Sequence, residues 1–304
     1  MTRYSIFILT ISLAGLSAGC ASSPADKTAT LKLHTRSMER VPGTKEKDDS
    51  YRPVLKIVQW APERTALVIC DMWDRHWCKG AEARVAEMAP EMNQLAETAR
   101  SLGVQIIHAP STCVDFYKDT PQRKRAIAAA FSRAPVELSR KERWGTAWCW
   151  PQDEREPAMP IDDSDMGCDC KKKCEIVPPW TRQIKTIDIR EPDAITDNGQ
   201  ETYNLLNEKG IDNVILMGVH LNMCVLGRPF AIRQMVNVGK NVLLIRDMTD
   251  TMYNSQKSPF VNHFRGTDLV VEHVEKYWCP TIESTDFMGG SPFRFREDPL
   301  NGKN

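Results

Sequence analysis

Short continuous apolar runs alternate with segments of helical periodicity along most of this chain, and that alternation restricts its fold more than any other feature. "TALVIC" at 65–70, "VQIIHAP" at 104–110, "VILMG" at 214–218 and "VLLIRD" at 242–247 have the length of strands buried on both faces. Between them, apolar residues recur at helical spacing from Ala81 to Leu102, with Pro90 as a break or restart and Gly103 as a stop. Residues 199–210 form another such segment, ending on Gly210. "IKTIDI" at 184–189 alternates like a further strand, "GTDLVVEHVEKYW" at 266–278 reads as a helix, and "CPTIES" at 279–284 adds a last strand. This order predicts an α/β fold: a doubly wound, mostly parallel sheet of about six strands with helices on both faces. Function then belongs at the carboxyl ends of the strands.

The pattern sets the expected domain organisation. Residues 1–20, "MTRYSIFILTISLAGLSAGC", carry Arg3, an apolar stretch and small residues before Cys20. That is the layout of a bacterial export signal of lipoprotein type, with Cys20 as the acylated residue and the cell envelope as destination. Residues 21–60 are polar and Pro-containing and read as a tether; 61–290 read as the domain, and 291–304 as a C-terminal tail. Within the domain, 111–180 is a Cys- and Trp-rich insertion without periodicity, and a long irregular segment usually carries or borders function.

Forty basic and forty acidic residues cancel. That balance removes a general electrostatic case for nucleic acid or for a charged membrane surface. Membrane contact is expected only through the lipid anchor, and the partner is a small-molecule substrate. The runs "RKR" at 123–125 and "KKK" at 171–173 read as solvated surface. No P-loop, Gly-rich dinucleotide fingerprint or HExxH motif is present, and no cofactor is expected. In an exported chain disulfides persist. Cys168, Cys170 and Cys174 in "CDCKKKC" are therefore expected to include at least one disulfide partner, with Cys149 or Cys113 as candidates. A zinc site is the lesser reading, because the Cys-x2-Cys spacing is missing.

Cys224 follows the apolar run of 214–217 and precedes an amphipathic segment, so it belongs where a strand turns into a helix. A helix start favours a thiolate. The plainer alternative is a buried core thiol. Asp71 also follows a strand, which puts it on the same rim, where a carboxylate could move the thiol proton; the alternative is a loop or capping residue.

"LVICDMWD", followed by "VILMGVHLNMCVLGRPFAIRQMVNVGKNVLLIRDMTDT", resembles the isochorismatase-like cysteine hydrolases, the family of nicotinamidases and N-carbamoylsarcosine amidases. The resemblance covers about Thr65–Cys279. It implies Cys224 as nucleophile, Asp71 as general base, and a lysine on a middle strand, for which Lys185 is the first choice and Arg190 the second. It also implies an oxyanion hole from the amides of Cys224 and His220, the latter presented by a cis Val219–His220 peptide, and oligomerisation. The family's metal-holding "D-x-H…H" cluster has no counterpart in "HAPSTCVDFY", so no metal is expected; His108 reads as a packed strand-end histidine. Trp73, His76 and Asn222 are candidates for the substrate pocket. The leading expectation is an exported amidase-type hydrolase. The alternative is an inactive, redox or binding protein that keeps the fold.

Overall fold

In the computed structural model, residues 30–41 and 50–302 are described. The expected export signal and Cys20 lie outside them. The strands are β1 (Leu31–Arg40), β2 (Tyr51–Trp60), β3 (Thr65–Cys70), β4 (Gln105–Ala109), β5 (Glu142–Arg143), β6 (Thr146–Ala147), β7 (Ala194–Ile195), β8 (Asn213–Val219), β9 (Asn241–Asp250) and β10 (Thr281–Ile282). The helices are α1 (Lys79–Ser101), α2 (Pro121–Ala128), α3 (Gly199–Glu208), α4 (Ile232–Asn237), α5 (His263–Tyr277) and α6 (Thr285–Met288).

The main sheet has eight strands in the order β2-β1-β10-β9-β8-β3-β4-β7. The six from β10 to β7 are parallel, and β1 and β2 extend that sheet antiparallel at the β10 edge. Side chains on adjacent strand residues point to opposite faces, so each central strand feeds two cores. From β3, Ala66, Val68 and Cys70 join the core with α3, α4 and α5, while Leu67 and Ile69 join the core with α1. Helices on both faces account for central strands that are apolar at nearly every position. Among the described residues no helix is long and apolar enough to cross a membrane.

Three expectations about organisation change. The expected tether contains β1 and β2, paired over ten residues from Leu31↔Trp60 to Arg40↔Tyr51. Leu31, Leu33 and Thr35 are buried while Lys32 and His34 are exposed, so one face of β1 packs against the domain. The expected tail also joins the domain. Phe295 is buried in the α1-side core, Phe293 packs against it, and the Phe293 amide donates to Asp247 (2.9 Å). Finally, "IKTIDI" is not a strand. Its residues make turns after a single bridge between Gln183 and Trp73, and the edge strand of that region is β7, ten residues further on. Prolines 178, 179 and 192 flank a segment that has no neighbouring strand to pair with.

Candidate active site

Asp71 follows β3 directly, buried and in a left-handed conformation (φ 48°). Asp is one of the few side chains that tolerate this region, and the turn swings its carboxylate over the sheet's rim. Gly218 lets the ends of β3 and β8 close up: a Cβ there would stand 2.0 Å from the Cys70 carbonyl oxygen. One carboxylate oxygen of Asp71 accepts from the Ser111 amide (2.7 Å) and the other from Nε of Arg228 (3.1 Å).

Cys224 lies in a single wide π-helical turn, Leu221–Val225, rather than at the start of a regular helix. The Val225 amide reaches back to the His220 carbonyl (3.2 Å), and Pro229 prevents a continuous helix before α4. The thiol is buried and interacts with the Asp71 carboxylate, while the backbone amide of His220 faces the sulfur. The Val219–His220 peptide is cis. Burial first, and the neighbouring Asp71 charge second, push the Cys224 thiol up to about 12; the Arg228 guanidinium and the His220 amide pull the other way. At rest the sulfur therefore holds its proton beside the carboxylate that can take it.

Neither expected cation is at this centre. Lys185 is exposed in a turn and lines a separate cleft with Phe116 and Ile187. Arg190 is exposed and pairs with Asp188 and Glu97. Both follow from the missing strand, since nothing aims residues 184–190 at the rim. The positive charge comes instead from Arg228, whose amide bonds to the Cys224 carbonyl (2.9 Å), one turn along. It is 1% exposed, and its pKa is raised: burial works against the charge, but Cys224 and Asp71 more than offset it. Its Nη1 donates to Thr146 Oγ1 and to the Trp144 carbonyl, so the β5–β6 hairpin of the insertion holds the guanidinium in place. The sequence carried one usable signal for this residue: a cation four positions after Cys224 must share its side of any helical turn.

A cavity of about 210 Å³ opens above the sulfur, lined by Trp73, His76, Trp77, Trp144, Trp180, His220, Met223 and Arg228 among others. Trp73 and Trp180 stack with ring centroids 4.2 Å apart and planes within 8°. Trp73 and His76 line this cavity. Asn222 does not. Its amide donates to Asp163 and the Met252 carbonyl and accepts from the Met252 amide, which ties the Cys224 turn to the end of β9. His76 is held neutral, down to about 4, chiefly by burial; its Nδ1 accepts from the Cys78 amide (3.1 Å). His108 is packed between Gln183 and Asp193 (3.0 Å each). The nine described cysteines are all free thiols, so no disulfide involves Cys168, Cys170 or Cys174 here.

No family model matches the sequence, and no curated protein matches it. Solved structures do resemble the fold. A cysteine hydrolase from Pseudomonas syringae pv. phaseolicola is 15% identical, covering 74% of this chain and 91% of its own, with a TM-score of 0.46. An isochorismatase from Pseudomonas putida is 12% identical, covering 74% and 91%, with a TM-score of 0.43. A pyrazinamidase of Pyrococcus horikoshii in complex with zinc is 14% identical, covering 72% and 99%, with a TM-score of 0.39. At these identities the likeness is one of fold.

Proposed function

We propose that this protein is an isochorismatase-like cysteine hydrolase that cleaves the C–N bond of a small, flat amide or ureido compound through a covalent Cys224 intermediate. The observation that carries the reading is the grouping of Asp71, Cys224 and Arg228 with the His220 amide at the floor of an aromatic-walled cavity. Asp71 accepts the thiol proton as the sulfur attacks the carbonyl carbon. The oxygen that becomes negative is met by the amides of His220 and Cys224. The proton then passes from Asp71 to the leaving nitrogen and the C–N bond breaks, leaving a thioester. Water, deprotonated by Asp71, attacks the thioester, releases the acid and restores the thiol. Arg228 keeps a positive charge beside both groups as negative charge moves between them.

The cavity favours substrates of one ring. Apolar cavities of about 150 Å³ admit benzene, so the space here suits a ring plus its amide. The aromatic walls offer stacking for a planar compound. The test is ammonia release from a panel of aromatic primary amides and ureido compounds by wild type, Cys224→Ala and Asp71→Asn. Turnover by wild type alone, with the acyl group recovered on the Cys224 peptide after quenching, is the expected result. A wild type that neither turns over nor acylates would make this a binding protein. The leader-like residues 1–20 support a further part of the proposal, export and acylation at Cys20; radiolabelled palmitate incorporated by wild type and lost in Cys20→Ala is the corresponding result.

A further inference from the structure

Beside the pocket, the amino end of α1 meets the "CDCKKKC" loop of the insertion. The sulfurs of Cys78, Cys168 and Cys170 lie within 4.8 Å of one another. Those of Cys78 and Cys170 are 3.8 Å apart. Cys174 interacts with both Cys168 and Cys170 from just outside that group and offers a fourth thiol. We propose that Cys78, Cys168, Cys170 and Cys174 bind a structural zinc ion as a four-thiolate site.

Three features of this corner support the assignment. The first is spacing. Zn–S bonds of about 2.3 Å in a tetrahedron put neighbouring sulfurs about 3.8 Å apart, which is the Cys78–Cys170 separation. A disulfide would need about 2.05 Å. Cys170 and Cys174 also have three residues between them, within the range that zinc ligand pairs use. The second is the surroundings of the sulfurs. The first amides of a helix have no partner inside it, and in α1 they turn to sulfur: Gly80 donates to Cys170 (3.3 Å), and the Ala81 and Lys79 amides face Cys78 and Cys174. The amides of Cys170 and Cys174 face Cys168. Such donors favour thiolate and orient it, as the outer partners of metal ligands do. The third is charge. Four thiolates around one divalent ion carry a net charge of −2, and the exposed Lys171 to Lys173 stand between Cys170 and Cys174 in the chain. Asp169, between two of the cysteines, is held through one carboxylate oxygen by Arg84 (2.7 Å) and accepts from the Cys78 thiol (3.7 Å) through the other. It stays outside the ligand set.

With all four positions filled by protein, the ion has no open place for substrate and would act by cross-linking residue 78 to residues about ninety positions away. The loop so fixed continues into Ile176, Pro178 and Trp180, which wall the cavity above Cys224. The site stands on its own residues and does not depend on the hydrolase reading.

The test uses the full chain. Elemental analysis of protein purified without added chelator is expected to give one zinc per chain. Replacement by Co²⁺ is expected to give intense sulfur-to-metal charge-transfer absorption and the strong visible bands of tetrahedral cobalt. The paired substitution Cys170→Ser/Cys174→Ser, at the two partly exposed positions, is expected to lose the metal and the cobalt spectrum while circular dichroism shows the fold retained. Thiol counting on denatured, chelated protein, with and without reductant, supplies the opposing outcome. A metal-free wild type that gives no cobalt spectrum and gains four thiols only on reduction would replace the zinc site with two disulfides. Stoichiometric iron or copper in place of zinc would overturn the choice of ion.

Discussion

Two arginines five residues apart, Arg228 and Arg233, are both buried, and both face acidic residues, yet their settings differ. Arg233 is fully matched: Nε and Nη2 reach both oxygens of Glu156 (2.7 and 2.9 Å), and His273 donates to the same carboxylate (2.9 Å). Arg228 gives Asp71 a single bond (3.1 Å) and its Nη1 to the insertion hairpin, and it lines the cavity above Cys224. A saturated pair is a clamp, because nothing else can bind without breaking it. An unsaturated pair at a pocket floor is arranged to receive charge that is not there yet. Burial alone does not separate the two; the count of bonds does.

The largest expected effect falls on the clamp. Arg233→Met leaves a buried carboxylate without its cation, with His273 (2.9 Å) and the Gln152 amide (3.4 Å) still donating, and is expected to cost about 3–5 kcal/mol of stability. Urea unfolding should show that loss while kcat/KM of the folded fraction stays unchanged. The reverse pattern is expected of Arg228→Met: kcat/KM lower by about 10²–10³-fold, as for removal of other preorganised charge, with a smaller change in urea midpoint. If Arg233→Met lowers the rate as much as Arg228→Met does, the contrast between clamp and active-site cation is lost.

Acid sharpens the same contrast. Burial would raise the Glu156 carboxyl, but hydrogen bonds from His273 and Arg233, with the Arg233 charge, bring it down to about 2. An unfolded Glu titrates near 4.3, roughly. Because the folded value is depressed, the stabilisation is complete above the unfolded value and is lost as pH falls from about 4 toward 2. Wild type should show that loss in urea midpoints across this window. Arg233→Met should lose less there, since its carboxylate is already poorly held. The smallest effect is expected of Thr146→Val, which removes one support of Arg228. A change of about 1 kcal/mol in activation free energy, a few-fold in kcat, is what one hydrogen bond warrants. No change would show that the hairpin does not steer the guanidinium.

The parallel sheet was legible because its strands are apolar at nearly every position and are followed by helical periods. Asp71 and Cys224 were legible for the same reason: each follows such a strand. β1 was equally readable, since Leu31, Leu33 and Thr35 alternate with Lys32 and His34, but the charged and proline-containing residues around it pointed to a tether. "IKTIDI" misled in the opposite direction. Ile187 and Ile189 alternate with Asp188, but a strand exists only where a neighbour accepts its hydrogen bonds, and none lies there.

By itself, then, the sequence determined which stretches are buried strands, the order in which helices separate them, and therefore the rim on which an aspartate and a cysteine meet. Those properties are local: they depend on periodicity and on turn-forming residues a few positions apart. Tertiary structure alone decided which cation stands beside the thiol, that Asn222 secures the turn instead of lining the pocket, and that Cys78 meets cysteines some ninety residues later. Each of these depends on contacts between segments far apart in the chain. No spacing encodes them, because the intervening loops can close over many geometries, and only packing selects one.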